Sequence, residues 1–462
     1  MKKVISIISL SALLLGGCKK FLDVNKDPNN PTDVQESLLL APIEMNISDN
    51  IAGGFGALLV QNYLQNIAPN QANPGIANYQ LFSVDVNGDW TMYYVNCLNN
   101  LKILNQKAES ENHWNYAAIA KILSAYVLGN ATDLWGDIPY SQAFNRNSFL
   151  VPYDKQEDIY KSIQSLLNNA IADISKGDAL KPKGDDYYYK GNMDAWRKVA
   201  YSLKARYFMH LTKAPGYTAA VQADSALLAL QNGMTANADD WKFVYEGAAS
   251  TENIWYYTFL PVTTYVLNET IIETLKGRND PRLPVIAKPA VLSGNYVGRR
   301  VGTLPAGNLA AYSYLNNFYG AAASSNYIYN YSEAVFLKAE AVLLKSGFAA
   351  AQPVYRHGIN SHLFKLGIDT TSVAATTYVN SRALTAGNAL QRIMEEKAVA
   401  NFLNLETFND WRRTGFPALT PVDGALSAIP RRLLYPESEL QSNEQPQQSG
   451  VTLTSRVWWD VQ

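Results

Sequence analysis

The chain has 462 residues, 47 % of them hydrophobic, and a formal net charge of −1. That is enough apolar length for one large helical core or roughly two or three smaller domains. Near-neutrality and the absence of a long Lys/Arg run exclude the basic face that polyanion binding needs, so nucleic acid is not expected as a partner.

Met1-Lys2-Lys3 is a short basic start, and Val4 to Leu15 is an apolar stretch of about a dozen residues, where a bilayer-spanning helix needs roughly twenty. The pattern is that of a secretory signal. It ends in Leu15-Gly16-Gly17-Cys18, which resembles the bacterial lipobox, so residues 1–17 are expected to be removed and Cys18 to be lipidated. Several acyl chains, palmitate among them, would hold the mature chain firmly, because each buried CH₂ adds about 0.8 kcal/mol. Lys19 is not the Asp that retains lipoproteins at the inner membrane, so an outer-membrane, surface-exposed anchor is expected. Residues 18–35 are polar and rich in Pro and Asn, and read as an extended arm with Thr32 or Asp33 capping the first helix. The remainder, 36–462, reads as a single domain.

Along that domain the apolar periodicity predicts helices over Tyr116–Leu128 and Glu157–Ile174. Asp194 is placed to cap the next, in which Trp196, Val199, Ala200, Leu203, Tyr207 and Leu211 share a face. A further helix is predicted from Tyr331 to Lys345 with Gly347 as its stop, and another carries Leu390, Ile393, Met394, Ala398, Phe402 and Leu405. Many small residues permit close helix pairs, but no regular repeat register emerges. Residues 235–325 and 410–462 are loop-rich, and long loops on a rigid scaffold are usual places for ligand contacts.

Motifs of common catalysts are missing. His357 and His362 are off the spacing that places two imidazoles on one helical face, and no His-Glu-x-x-His, nucleophile elbow or phosphate loop occurs. Gly53-Gly54-Phe55-Gly56 reads as a loop between helices. Ser83-x-Asp85-x-Asn87-Gly88 begins like a calcium loop but has Tyr94 where a bidentate carboxylate is required, and reads as a polar turn. Neither metal nor cofactor is expected. Cys97, among Val95, Leu98 and Leu101, reads as a buried thiol with no disulfide partner.

Several strings together resemble the SusD/RagB family, in particular its SusD-like, starch-binding-associated branch. They are Phe21-Leu22-Asp23-Val24-Asn25-Lys26-Asp27-Pro28-Asn29-Asn30-Pro31-Thr32, then Thr132-Asp133-Leu134-Trp135-Gly136-Asp137-Ile138-Pro139-Tyr140, then Pro152-Tyr153-Asp154 through Tyr160. Tyr331-Ser332-Glu333-Ala334 with Lys338-Ala339-Glu340-Ala341, Asp410-Trp411-Arg412-Arg413-Thr414-Gly415-Phe416-Pro417 and Ile429-Pro430-Arg431-Arg432-Leu433-Leu434-Tyr435-Pro436 follow in family order. Lys19-Lys20 departs from the acidic or polar residues many relatives carry after the lipidated cysteine. The resemblance implies a mostly α fold, a tetratricopeptide-like scaffold of helical pairs with long irregular loop excursions. It also implies capture of a nutrient, and delivery to a SusC-like TonB-dependent β-barrel transporter.

Within that frame no catalysis is expected, and the ligand is read as an oligosaccharide, with a peptide as in RagB as the alternative. The strings themselves read as fold elements: Gly136 and Pro139 set a turn beside Trp135 and Tyr140, and Arg412, Arg413 and Arg431 pair with Glu395, Glu396 or Glu406. The chain has 29 Tyr and 9 Trp against 17 % charged residues, and such rings stack on the apolar faces of sugars while their polar tips bond hydroxyls. Candidate platforms in the loop-rich segments are Tyr187, Tyr188, Tyr189, Trp255, Tyr256, Tyr257, Tyr312 and Tyr319. A rival reading is a helical glycoside hydrolase using Asp133 with Asp137, or Glu437 with Glu439, since such enzymes hold two carboxylates across a sugar ring.

Overall fold

Helix Trp114–Trp135 is apolar almost all round, with nearly every residue buried, as a helix in the centre of a large core must be. It ends at Gly136, whose φ of +81° lets the backbone turn away. Around it the computed structural model describes residues 34–71, 75–145, 150–260, 265–302 and 307–461. The expected signal segment, Cys18 and the Thr32 or Asp33 cap lie outside the described residues.

The principal helices are α1 (Glu36–Asn46), α2 (Phe55–Tyr63), α3 (Asn100–Glu111), α4 (Trp114–Trp135), α5 (Gln156–Lys176) and α6 (Met193–His210). They continue as α7 (Ala219–Leu230), α8 (Ile254–Thr258), α9 (Glu269–Gly277), α10 (Tyr331–Lys365), α11 (Val373–Ser381), α12 (Ala389–Ala400) and α13 (Glu406–Thr414). Sequential partners pack side by side, α3 on α4, α4 on α5, α5 on α6 and α6 on α7, while α10 returns to α7 and also holds α12. This is a scaffold of antiparallel helical pairs. Two π-helical stretches, Ile47–Ile51 and Met92–Asn99, extend the helical path, the second carrying the fully buried Cys97.

Strands are short and paired two by two. β1 (Ile67–Pro69) lies antiparallel to β3 (Tyr265–Leu267), β2 (Trp241–Val244) to β6 (Ser325–Tyr329), and β4 (Ala287–Lys288) to β5 (Tyr314–Leu315). β1–β3 ties the loop-rich region to the segment after α2, while the other two pairs join stretches between Trp241 and Tyr329 to one another. The main hydrophobic core runs from Leu40 to Trp459, and a second cluster around Phe336, Tyr355, Tyr378 and Ile393 fills the C-terminal helices.

Three expectations about the helix ends change. Asn192, not Asp194, caps α6, because its side chain accepts from Ala195 N at 3.2 Å while Asp194 pairs with exposed Arg197 at 2.7 Å. Gly347 does interrupt α10, at φ 79° and ψ 177°, but the helix resumes at once and runs to Lys365. Helix α12 stops at Ala400, so Phe402 and Leu405 pack from the turn beyond it.

The family strings meet in space. Leu433 N donates to Leu134 O at 2.8 Å, Trp135 Nε1 to Leu434 O at 2.9 Å and Tyr435 OH to Asp137 O at 2.7 Å. The arginine partners differ from those expected. Arg413 bonds Glu340 and Asp410, Arg431 bonds Asp460 at 2.6 Å, and Arg412 donates to the carbonyls of Asp133 and Arg431 and to Asn409 Oδ1. Glu395 and Glu396 instead serve Arg278, Arg282 and Arg382, and Glu406 serves His210, Lys397 and Arg206. Buried carboxylates are plentiful here, so proximity in sequence does not select the partner.

Candidate functional site

The Tyr187–Tyr189 turn is wound around one buried carboxylate. Asp186 accepts from Tyr188 N, Tyr189 N, Gly191 N and Trp196 Nε1, all within 2.8–3.1 Å. Tyr188 and Tyr189 are thereby turned onto Trp196 in the core, while Tyr187 remains 38 % exposed. Tyr187 N donates to Glu44 at 2.6 Å, and burial first, then Asp186 beside it, pushes the Glu44 carboxyl well above the usual range. The Tyr187 ring meets Phe243 edge to face at 5.5 Å, and Phe243 meets Tyr245 at 4.8 Å, so strand β2 carries an aromatic row away from the turn. Tyr245 OH donates to Asp49 in the first π-helical stretch.

Helix α8 begins where Asn253 accepts from Trp255 N at 2.7 Å. It divides its aromatics. Trp255 is 2 % exposed and packs inward, whereas Tyr257 is 41 % exposed, with its OH donating to Glu252 at 2.6 Å and its ring 6.0 Å from half-buried Tyr256. Gly53 permits this approach, since a Cβ there would stand 2.1 Å from Ile254 Cγ2. Tyr319 is 5 % exposed and packs on Phe318 and Phe402. Neither Trp255 nor Tyr319 presents an open ring face.

Tyr312 has a different setting. Its ring lies 5.5 Å from the Arg299 guanidinium, which also donates to Tyr312 OH, Pro69 O and Gln71 O. The next residues line a polar cleft of about 280 Å³ made by Gln65, Asn268, Glu269, Thr270, Arg300 and Asp423 with the 420–422 loop. Arg300 pairs with Asp423 at 2.9 Å. The loop is fixed rather than draped: Gln65 Nε2 donates to Thr420 O at 2.6 Å, Asn78 Nδ2 to Asp423 O at 3.1 Å, and Val422 N donates to Tyr79 OH at 3.2 Å. Gly302 passes so close to Asp423 O that a Cβ would stand 1.7 Å away. The amides, carboxylates and guanidinium that line this cleft are groups that bond hydroxyls.

None of the cleft's polar residues was legible as a site in the sequence. They come from four separated stretches, and no spacing joins Gln65, Glu269, Arg300 and Asp423. A larger groove of about 530 Å³ lies between α7 and α10, with Tyr331 OH and His357 Nε2 2.9 Å apart in its wall. It also lacks a sequence signature. Of the carboxylates of the enzyme reading, Glu437 and Glu439 accept from Gln441 and Asn443 in their own helical turn, and the other pair is tied into the fold. Asp133 is buried and accepts from Tyr160 OH, Trp459 Nε1 and Asn409 Nδ2, while Asp137 accepts from Gln156 N at the start of α5 and from Lys155.

Residues 28–436 match the family model SusD-like_2, described as starch-binding associating with outer membrane. The fold is shared with a SusD/RagB family protein from Bacteroides thetaiotaomicron VPI-5482 at a TM-score of 0.81 and 22 % identity, covering 93 % of this chain and 99 % of that one. A chitin-binding SusD homolog from Flavobacterium johnsoniae superposes at a TM-score of 0.80 with 23 % identity, covering 92 % and 98 % of the two chains. A further structure, named a chitin-binding protein, gives 0.80 and 24 % identity with 93 % and 100 % covered. At these identities the likeness establishes the fold. No curated protein matches the chain. No helix among the described residues is long and apolar enough to cross a membrane.

Proposed function

The chain belongs to the SusD-like family of starch-binding-type proteins associating with the outer membrane, and from that membership we propose that it captures a glycan non-catalytically and hands it to a SusC-like TonB-dependent transporter. In this reading Cys18 carries the lipid anchor after removal of residues 1–17, residues 18–35 are the tether, and 36–462 act as one binding domain at the cell surface. The starch-binding description of the family and the structural neighbours named for chitin support a glycan ligand. The observation that carries the reading is the polar cleft of Gln65, Glu269, Arg300 and Asp423, whose Arg300 follows directly in the chain on Arg299, the partner of the Tyr312 ring. Stacking of a sugar on such a ring contributes on the order of 1 kcal/mol, and the cleft supplies the hydroxyl partners. Tyr187 and the Tyr256–Tyr257 pair are further solvent-reaching rings on which a sugar can stack.

The test is titration of the full chain with starch and chitin oligosaccharides and with short peptides, wild type against Tyr312→Ala and Asp423→Asn. Saturable binding of an oligosaccharide, weakened about five- to tenfold by Tyr312→Ala, is the expected outcome. Peptide binding without glycan binding would move the protein to the RagB-like alternative, and turnover of a glycan would restore the hydrolase reading. Co-purification with a large β-barrel from solubilised membranes tests the transporter partnership. Recovery as a free monomer under conditions that preserve such complexes would count against it.

A further inference from the structure

We propose that Glu36, Glu111 and His113 form a binding site for a divalent first-row transition metal, with Zn²⁺ as the best-fitting ion. Three donors from two places in the fold converge there: buried Glu36 in the first turn of α1, and exposed Glu111 with half-buried His113 in the turn that joins α3 to α4. One ligand atom from each lies within 4.8 Å of the others. His113 Nδ1 is 2.6 Å from Glu36 Oε1 and 3.4 Å from Glu111 Oε2. Tetrahedral Zn²⁺, with bonds near 2.0 Å, sets its ligand atoms about 3.3 Å apart, so small side-chain rotations complete the geometry.

Charge favours an ion at this point. Glu36 is only 7 % exposed, and His113 is its one partner among the described ion pairs. Nδ1 faces two carboxylates but carries at most one proton, so a hydrogen bond satisfies one carboxylate and leaves the other facing it. A dication serves all three donors at once. Glu111 is already forked for this: Lys107 Nζ takes Oε1 at 2.6 Å, which leaves Oε2 turned to His113. Neighbouring Glu109 is engaged by Lys121 at 2.7 Å and does not compete. An imidazole with two carboxylates suits Zn²⁺ or its neighbours, whereas Ca²⁺ prefers an all-oxygen shell. The ion would tie α1, which receives the chain from residues 18–35, to the α3–α4 turn. The body would thus be braced where the tether enters.

The site was invisible to sequence spacing because Glu36 is distant from Glu111 and His113 in the chain. Its test uses the full chain in mild detergent, stripped with EDTA and then titrated with ZnCl₂ by calorimetry and by thermal unfolding. The expected result is one Zn²⁺ per chain, tighter than about 10 μM, with a rise in Tm. His113→Ala and Glu36→Gln should each weaken that binding at least about tenfold, while His357→Ala leaves it unchanged. Co²⁺ should give the visible absorption of a low-coordinate site in wild type and lose it in Glu111→Gln, a readout that persists if one of the other variants folds poorly. Millimolar Ca²⁺ should not displace the metal. Absence of saturable Zn²⁺ binding, or wild-type binding in His113→Ala, overturns the proposal.

Discussion

Asp89 shows how one buried carboxylate shapes the pH response. It accepts from Gly56 N at 2.8 Å in the first turn of α2, and burial pushes its carboxyl up to about 6 against that stabilising bond. A carboxyl whose folded pKa is raised binds more protons in the folded than in the unfolded state, so stability falls as pH rises from about 4 to about 6. Asp89→Asn keeps the accepting oxygen and removes the charge. It should raise stability at pH 7 by about 1–2 kcal/mol and flatten the pH 4–6 slope of the unfolding midpoint. A variant that melts lower than wild type at pH 7 would show that the charge is needed. Cys97 gives a second residue-scale prediction. Its thiol is fully buried and burial pushes it up to about 12, so it should stay unlabelled by thiol reagents at pH 8 until the chain unfolds.

At the scale of elements, the helices were readable and their ends were not. α4 and α5 follow from apolar periodicity because every misplaced side chain would cost core burial. The cap of α6 was misplaced by two residues because Asn192 and Asp194 are equally good cap types, and only backbone geometry selects between them. Asn192→Ala should therefore cost about 1 kcal/mol, and Asp194→Ala, which loses only an exposed ion pair, should change the midpoint little. The interruption of α10 is a related case. Gly347 sits at φ 79° and ψ 177°, a conformation that residues with a side chain rarely adopt, and nothing crowds the place a Cβ would occupy. Gly347→Ala should then cost about 1–3 kcal/mol from backbone strain alone, measured by denaturant unfolding. The polar cleft was unreadable for a deeper reason. Gln65, Glu269, Arg300 and Asp423 become neighbours only when β1 pairs with β3 and the 420–426 loop is fixed on Asn78 and Tyr79.

Across the whole molecule the last residues of the chain lock its centre. Trp459 is fully buried, its Nε1 donates to Asp133 at 2.9 Å, and the Arg412 guanidinium lies 4.6 Å from its ring. Asp133 in turn holds Tyr160 of α5 and Asn409 of α13, so α4, α5, α13 and the C-terminal segment share one buried carboxylate. Close by, burial works to raise Glu406, but His210, Lys397 and Arg206 outweigh it and keep its carboxyl well below the usual range. Charges this deep resist substitution because removing one leaves its partner unpaired in a dry interior. Trp459→Phe retains most of the ring packing but deletes the donor to Asp133, and should cost about 1–3 kcal/mol. Trp459→Ala adds a cavity and should cost about 3–5 kcal/mol. Since Trp459 is not among the residues of the cleft or of the accessible tyrosines, both variants should keep the glycan affinity of wild type at temperatures where they remain folded. Equal stability losses in the two variants would mean that the ring fills no essential space and the hydrogen bond alone closes the core. A weakened affinity in the folded Phe variant would instead show that the locked centre sets the geometry of the binding face.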